Sequence, residues 1–225
     1  MRSLALGIAL ALAYGSNASA ATFTTFTNRT VFDGAAGLLT IENFNSVVGE
    51  PSFAGVALTV GDLTLEAGPS IDSVGNQRNF IDQPTVDFSA FFDIDGTALA
   101  NVLLFSDGDT LEIDFATPVT AFGADFGDIN FGAANNDSLR TAILVLGQQI
   151  AMPINSVSLT FFGLISDTAF SSLSFIMVGV NDGFSIDNVA FSAVPLPAAL
   201  PLYGSGLAVM GFLAWRRKRK RAAAA

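Results

Sequence analysis

The sequence predicts an all-β protein: an antiparallel β-sandwich of jelly-roll type, followed by a single transmembrane helix near the C-terminus. Three observations lead there. From Phe23 to Phe191 apolar residues alternate with polar ones, and β-branched and aromatic side chains are frequent. Gly, Asp, Asn and Pro break that alternation at short intervals, without any heptad or long helical period. Finally, Ala198 to Trp215 carries no charge, and as a helix of that length it rises about 27 Å, close to the hydrocarbon thickness of a bilayer. A closed barrel would produce much the same strand pattern and stays open as an alternative.

The elements follow in order. The stretch "NRTVFDGAAG" predicts one short helix, and "VALTVGDLTLEAG" predicts two strands joined by a tight turn at Gly61-Asp62. Ser70 to Ala90 has the least pattern and predicts a long loop, the part of a sandwich where binding tends to sit. "DTLEIDFATPVTAFGADFGDINF" predicts a strand from Thr110 to Phe115, a break at Thr117-Pro118, and a strand from Val119 to Phe126. "SLRTAILVLGQQIAMPI" predicts a hairpin about Gly147. "SVSLTFFGLI", "FSSLSFIMVGV" and "GFSIDNVAF" predict three more strands, making about eight or nine. Of the 21 Phe, all but Phe212 lie between Phe23 and Phe191, ample apolar area for the core of one domain.

Both ends read as addresses rather than fold. Residues 1–20 have a positive start at Arg2, an apolar run from Leu4 to Tyr14 too short to span a bilayer, and a small-residue exit at Ala18-Ser19-Ala20. That is the pattern of a secretory signal peptide, with cleavage expected after Ala20. Residues 21–193 are then the exported domain. At the other end, Pro201, Gly204, Gly206 and Gly211 would weaken a soluble helix but are common in membrane spans. Arg216, Arg217, Lys218, Arg219, Lys220 and Arg221 form a block that stays cytoplasmic, since each charge costs about 3 kcal/mol at the bilayer centre. Residues 222–225 are a short alanine tail. The expected precursor is held in the inner membrane with its domain outside.

Charge separates the parts. All 20 acidic residues lie between Asp33 and Asp187, and within residues 21–193 only Arg29, Arg78 and Arg140 oppose them. So acidic a domain repels phosphate backbones, which excludes nucleic acid as a partner and suits cations or neutral glycans. There is no Cys, hence no disulfide framework and no thiolate metal site.

A proline motif, an apolar span and an arginine-rich end together resemble the PEP-CTERM sorting signal of Gram-negative bacteria, here over residues 194–221. Val194-Pro195-Leu196-Pro197-Ala198 is similar to its Val-Pro-Leu-Pro-Ala variant, in which Leu replaces the commoner Glu. The resemblance implies recognition by an exosortase, a membrane protease-transpeptidase that cuts near the proline motif and passes the ectodomain to the cell surface or extracellular matrix. Pro195, Pro197 and Pro201 would hold the backbone extended just outside the membrane, where such an enzyme could grip it. Within the domain, "TPVTAFGADFG" and "FSIDNVAF" resemble segments of other exosortase-sorted sandwich ectodomains and of carbohydrate-binding modules. The expected role is structural or adhesive, in association with exopolysaccharide. A carbohydrate-binding module with a defined glycan is one alternative, and a carboxylate-based glycan hydrolase another.

Enzyme chemistry is poorly equipped. His is absent and both lysines, Lys218 and Lys220, lie in the tail, so no ordinary base is present to activate a Ser or Thr nucleophile. Two carboxylates alone can hydrolyse a glycoside, but among 20 acids a suitably spaced pair arises by chance. The protein is expected not to be an enzyme. The acidic turns Asp93 to Thr97 and Ser106 to Glu112 lack the glycine and glutamate placement of the twelve-residue calcium loop, so they read as turn formers. A sharper candidate for one structural Ca²⁺ pairs Glu42 on an early strand with Asp187 on the last, with Asn43 or Asn188 as helpers; this follows the placement seen in carbohydrate-binding jelly rolls. For stacking on sugars the domain offers only Phe, because Tyr14, Tyr203 and Trp215 lie in the terminal segments. In strands, Phe91-Phe92 and Phe161-Phe162 would each point one ring outward.

Overall fold

The computed structural model describes residues 20–69, 78–83, 94–104, 109–130, 140–153, 159–179 and 182–193. The sorting motif, the apolar span, the basic block and Ala18 lie outside these residues, as do Phe91, Phe92 and Asp93. Among the described residues, no helix is long and apolar enough to cross a membrane.

The described chain is all-β and antiparallel, with one short helix. In order it runs β1 (Phe23–Phe26), α1 (Arg29–Ala36), β2 (Thr40–Glu42), β3 (Leu58–Val60), β4 (Leu63–Ala67) and β5 (Phe80–Asp82). Then come β6 (Leu99–Leu104), β7 (Thr110–Gly127), β8 (Thr141–Val145), β9 (Gln148–Ala151), β10 (Leu159–Met177) and β11 (Asp182–Ala193). Helix α1 falls where expected. Asn28, in extended backbone, caps it by accepting a hydrogen bond from the Val31 N–H at 3.1 Å.

Both expected hairpins form. Val60 pairs with Leu63 across Gly61-Asp62, where Gly61 takes the positive φ that a two-residue turn demands at its first position. Val145 pairs with Gln148 across Leu146-Gly147, both at positive φ, the conformation of a type I′ turn.

Two expectations change. Thr117-Pro118 does not end a strand: β7 and β10 are continuous strands of 18 and 19 residues, each expected as two. Their mutual register runs from Leu159↔Gly127 to Ile165↔Ala121, shifts twice around Phe170↔Val119, and resumes at Ser172↔Asp114. Pro118 sits in that interrupted stretch, where its missing N–H breaks no rung of this ladder. The expected loop from Ser70 to Ala90 contains β5, which pairs with β6 through Ile81↔Ala100; buried Ile81 anchors it to the core.

The two long strands change neighbours along their length. The second half of β7 pairs with β11 and its first half with β4, while the first half of β10 pairs with β1 and its second half with β8. Rings join the two halves across the core. Phe175 lies 6.1 Å from Phe122, 5.7 Å from Phe126 and 5.7 Å from Phe184, and Phe115 lies 5.5 Å from Phe191. Burying rings of this size stabilises the fold through the large apolar area each removes from water. On the opposite face of β7 and β10, a second, smaller cluster forms under α1: Phe32, Ala121, Phe161 and Ala190.

Strand β11 lies inside the sheet, with β7 on one side and β6 and β2 on the other. Its last residue is Ala193, directly before Val194.

Candidate functional site

The face of β7, β10 and β11 turned away from the main core carries the polar cluster of interest. Asp125 on β7 is the Cα partner of Phe161 on β10 and of Asp187 on β11, so the three side chains form one row across the sheet. The β11 register then shifts between Asp187 and Ala190. That irregularity puts Asn188 at φ 50°, a left-handed conformation that Asn tolerates better than most residues.

Asn188 is the hub. Its N–H donates to Asp187 Oδ1 at 2.6 Å, and its Nδ2 donates to Asp95 Oδ2 at 3.2 Å and to Asp187 Oδ2 at 3.4 Å. Its carbonyl accepts from Arg29 at 2.9 Å. Arg29, in the first turn of α1, also forms an ion pair with Asp125 at 2.8 Å and lies 4.8 Å from the centre of the Phe161 ring. Asp95 in turn accepts from the Thr97 hydroxyl at 2.5 Å and from the Thr97 N–H at 3.0 Å. This is an Asx turn, in keeping with the turn-forming role expected of this acidic loop.

The carboxyls differ in their protonation. Burial pushes Asp187 up from 3.8 to about 7, and the neighbouring charges of Asp95 and Asp125 push the same way. The Thr97 hydroxyl bond, with the Asn188 amide, holds Asp95 below the usual carboxylate range. A buried carboxyl raised beside an ionised one resembles the division of labour in a glycosidase. Asp187, however, has no exposed surface and does not line the cleft above it.

That cleft encloses about 330 Å³ between Ile94, Asp95, Asp125, Leu159, Thr160 and Asn188. Its lining combines the Asp95 and Asp125 side chains with Asn188 and Thr160, alongside apolar Ile94 and Leu159. The Asn188 N–H and amide donors are already engaged by Asp187 and Asp95, so the polar groups there are rich in acceptors, which suits a ligand that brings O–H donors.

The residues expected to hold calcium lie on adjacent strands, Glu42 on β2 being the Cα partner of Val189 on β11. Glu42 Oε1 accepts from the Phe44 N–H at 2.8 Å, and its other oxygen sits over Gly61. The charges that bear on Asp187 are those of Asp95 and Asp125. Among the described residues no three acids are spaced to hold a metal ion, so a cation here would draw on amide, backbone or water oxygens as well. Of the expected helpers, Asn188 joins Asp187, whereas Asn43 accepts from the Asn45 N–H at 3.3 Å.

Neither ring of Phe161-Phe162 serves as an exposed stacking platform. They do point to opposite faces, but Phe162 enters the main core and Phe161 lies under α1, 5.4 Å from Phe32. The sequence expectation also missed the partners of Asp187. Asp125 was visible only as an acid inside an apolar alternation, and Arg29 as one cation in an acidic domain; pairing them requires the topology.

A second polar cluster is structural. Asn130 Nδ2 donates to the Thr141 carbonyl at 3.0 Å and its Oδ1 accepts from the Arg140 and Thr141 N–H groups, while Asp182 Oδ2 accepts from Asn130 N–H and the Thr141 hydroxyl. It ties together the chain on both sides of residues 131–139 and the start of β11.

No protein-family model matches the chain, and no curated protein matches it significantly.

Proposed function

We propose that this chain is an exported surface or matrix protein: a β-sandwich of jelly-roll type, freed from a PEP-CTERM-like tail by an exosortase, with a structural or adhesive role in exopolysaccharide. The long strands β7 and β10 change partners along their length, and the antiparallel sheet buries one phenylalanine-rich core, which supports the sandwich reading. One observation carries the sorting proposal. The fold spans the interval between the two expected processing points, with the ladder of β1 beginning at Phe23 and β11 ending at Ala193, directly before the proline motif. A cut near Pro197 would therefore release the whole sheet without unpairing a strand.

In this proposal the inner membrane is a transient partner, held through residues 198–215 with the basic block inside, and the glycan contact is the cleft at Asp95, Asp125 and Asn188. Binding is favoured over hydrolysis there, since the raised carboxyl is buried and Asp125 is tied to Arg29. Mass spectrometry of the protein from its native cell surface tests the proposal. A chain starting at Ala21 and ending near Pro197 is expected, and a full-length chain in the cytosol would refute it. Calcium is tested separately: with a structural ion at Glu42 or Asp187, EDTA lowers the melting temperature, and an unchanged melt removes the ion from the proposal.

A further inference from the structure

Between Ala20 and Ala21 the chain passes from exposed to half-buried, and from there its backbone is held. The Ala21 carbonyl accepts from Gln148 Nε2 on β9 at 2.8 Å. The Thr22 N–H donates to Asp167 Oδ1 at 3.0 Å, and the Thr22 carbonyl accepts from the Asp167 N–H at 3.2 Å. One residue later the ladder of β1 on β10 begins, at Phe23↔Ser166. Asp167 belongs to the bend of β10, where the pairing with β7 lapses between Ile165 and Phe170, so its side chain is free to turn onto the start of β1. The Thr22 backbone bond and the Thr168 hydroxyl hold that carboxyl below its usual range, so it is ionised at neutral pH. The Ala21 nitrogen lies one residue before Thr22 N, within about 4 Å along the chain.

We propose that Asp167 and Gln148 form a receptor for the protein's own new N-terminus. The proposal rests on the export reading above, which supplies the cut. Water adds across the Ala20–Ala21 peptide bond, leaving a carboxylate on Ala20 and an ammonium on Ala21. Before the cut the Ala21 nitrogen is a neutral amide; after it, a cation stands beside an ionised carboxylate. Removal of the signal segment thereby fastens β1, which has only four residues and two exposed side chains of its own, onto β10. A peptide-bonded Ala20 gives no such charge, so precursor and product differ in how firmly their first strand is seated.

The test uses the full chain, made with its signal segment in an exporting host as wild type, Asp167→Asn and a remote control, Glu66→Gln. The mass of the N-terminal peptide reads the cut by itself: a chain still starting at Met1 overturns the export premise whatever Asp167 does, and a cut at any other residue overturns the receptor while leaving export standing. On proteins that start at Ala21, the rate at which acetic anhydride acetylates the α-amine at pH 7 reads the receptor. A paired ammonium gives up its proton reluctantly, so the wild type and Glu66→Gln are expected to react roughly two- to fivefold more slowly than Asp167→Asn. Faster hydrogen exchange at the amides of Phe23 to Phe26 in Asp167→Asn, with exchange in β11 unchanged, is expected alongside. Equal acetylation rates in wild type and Asp167→Asn would overturn the receptor while leaving the cleavage point standing.

Discussion

Phe32 lays its ring directly on Gly123: a Cβ added to that glycine would stand 2.8 Å from the Phe32 Cε1 atom. Gly163, the Cα partner of Gly123 on β10, receives the other edge of the same ring, with a built Cβ 2.7 Å from Cδ2. Two facing glycines thus form the floor on which α1 docks. Gly123→Ala is expected to cost about 1–3 kcal/mol through overpacking, and Phe32→Ala about 3–5 kcal/mol through the cavity it leaves. The double variant Phe32→Ala/Gly123→Ala should be less destabilised than the sum, as urea denaturation will show. Additive losses would mean that ring and glycine do not bear on each other.

Asp187 makes stability depend on pH. Its folded value, about 7, stands above its ordinary 3.8, so the folded state binds the proton more tightly than the unfolded one. The stability this confers is present below about pH 4 and is lost as pH rises through about 7. Asp182 and Asp82, both raised by burial to about 6, act in the same direction. The melting temperature should therefore be higher at pH 5.5 than at pH 8. Asp187→Asn keeps an acceptor for the Asn188 N–H without the buried charge, and should gain on the order of 2–4 kcal/mol at pH 8 while flattening the profile. A melting temperature that rises from pH 5.5 to pH 8 would contradict this assignment.

Arg29 couples α1 to the cleft. The ion pair with Asp125 is partly exposed and alone contributes at most about 1 kcal/mol, but the bond to the Asn188 carbonyl adds to it. Arg29→Met should cost about 1–2 kcal/mol, and Arg29→Met/Asp125→Asn less than the two single changes summed. Thermal melts of the four proteins complete the cycle, and a coupling indistinguishable from zero would reduce Arg29 to a surface charge.

The proposed glycan contact at the cleft can be separated from general acidity. Asp95→Ala removes an acceptor at the cleft wall, whereas Glu66→Ala removes an equal charge from an exposed site on β4. The first change should weaken retention on neutral polysaccharide about tenfold or more, as loss of a hydrogen bond to a charged group does, and the second should leave it unaltered. Equal losses would point to bulk charge rather than the cleft.

Local chemistry was legible in the sequence wherever it was sufficient. The turns at Gly61-Asp62 and Leu146-Gly147, and the helix after Asn28, each follow from residues within a few positions of one another. The continuity of β7 and β10 was not legible, because a proline in an apolar alternation reads as an end unless the partner's register is known. Likewise, alternation placed Phe161 and Phe162 on opposite faces but could not reveal that α1 covers the outer one. Asp187 stood out from the sequence as a lone acid on the last strand. Its companions Asp95, Asp125 and Arg29 come from an acidic loop, β7 and α1, at separations that no periodicity encodes.

The last strand among the described residues, β11, occupies an interior position in the sheet, where it joins β6 to β7. Completion of the sheet therefore waits for β11 to be made, since its pairings join residues far apart in the chain. If the chain is exported as proposed, and so crosses a membrane as an open thread, the order is useful: the sheet is completed only when β11 has emerged.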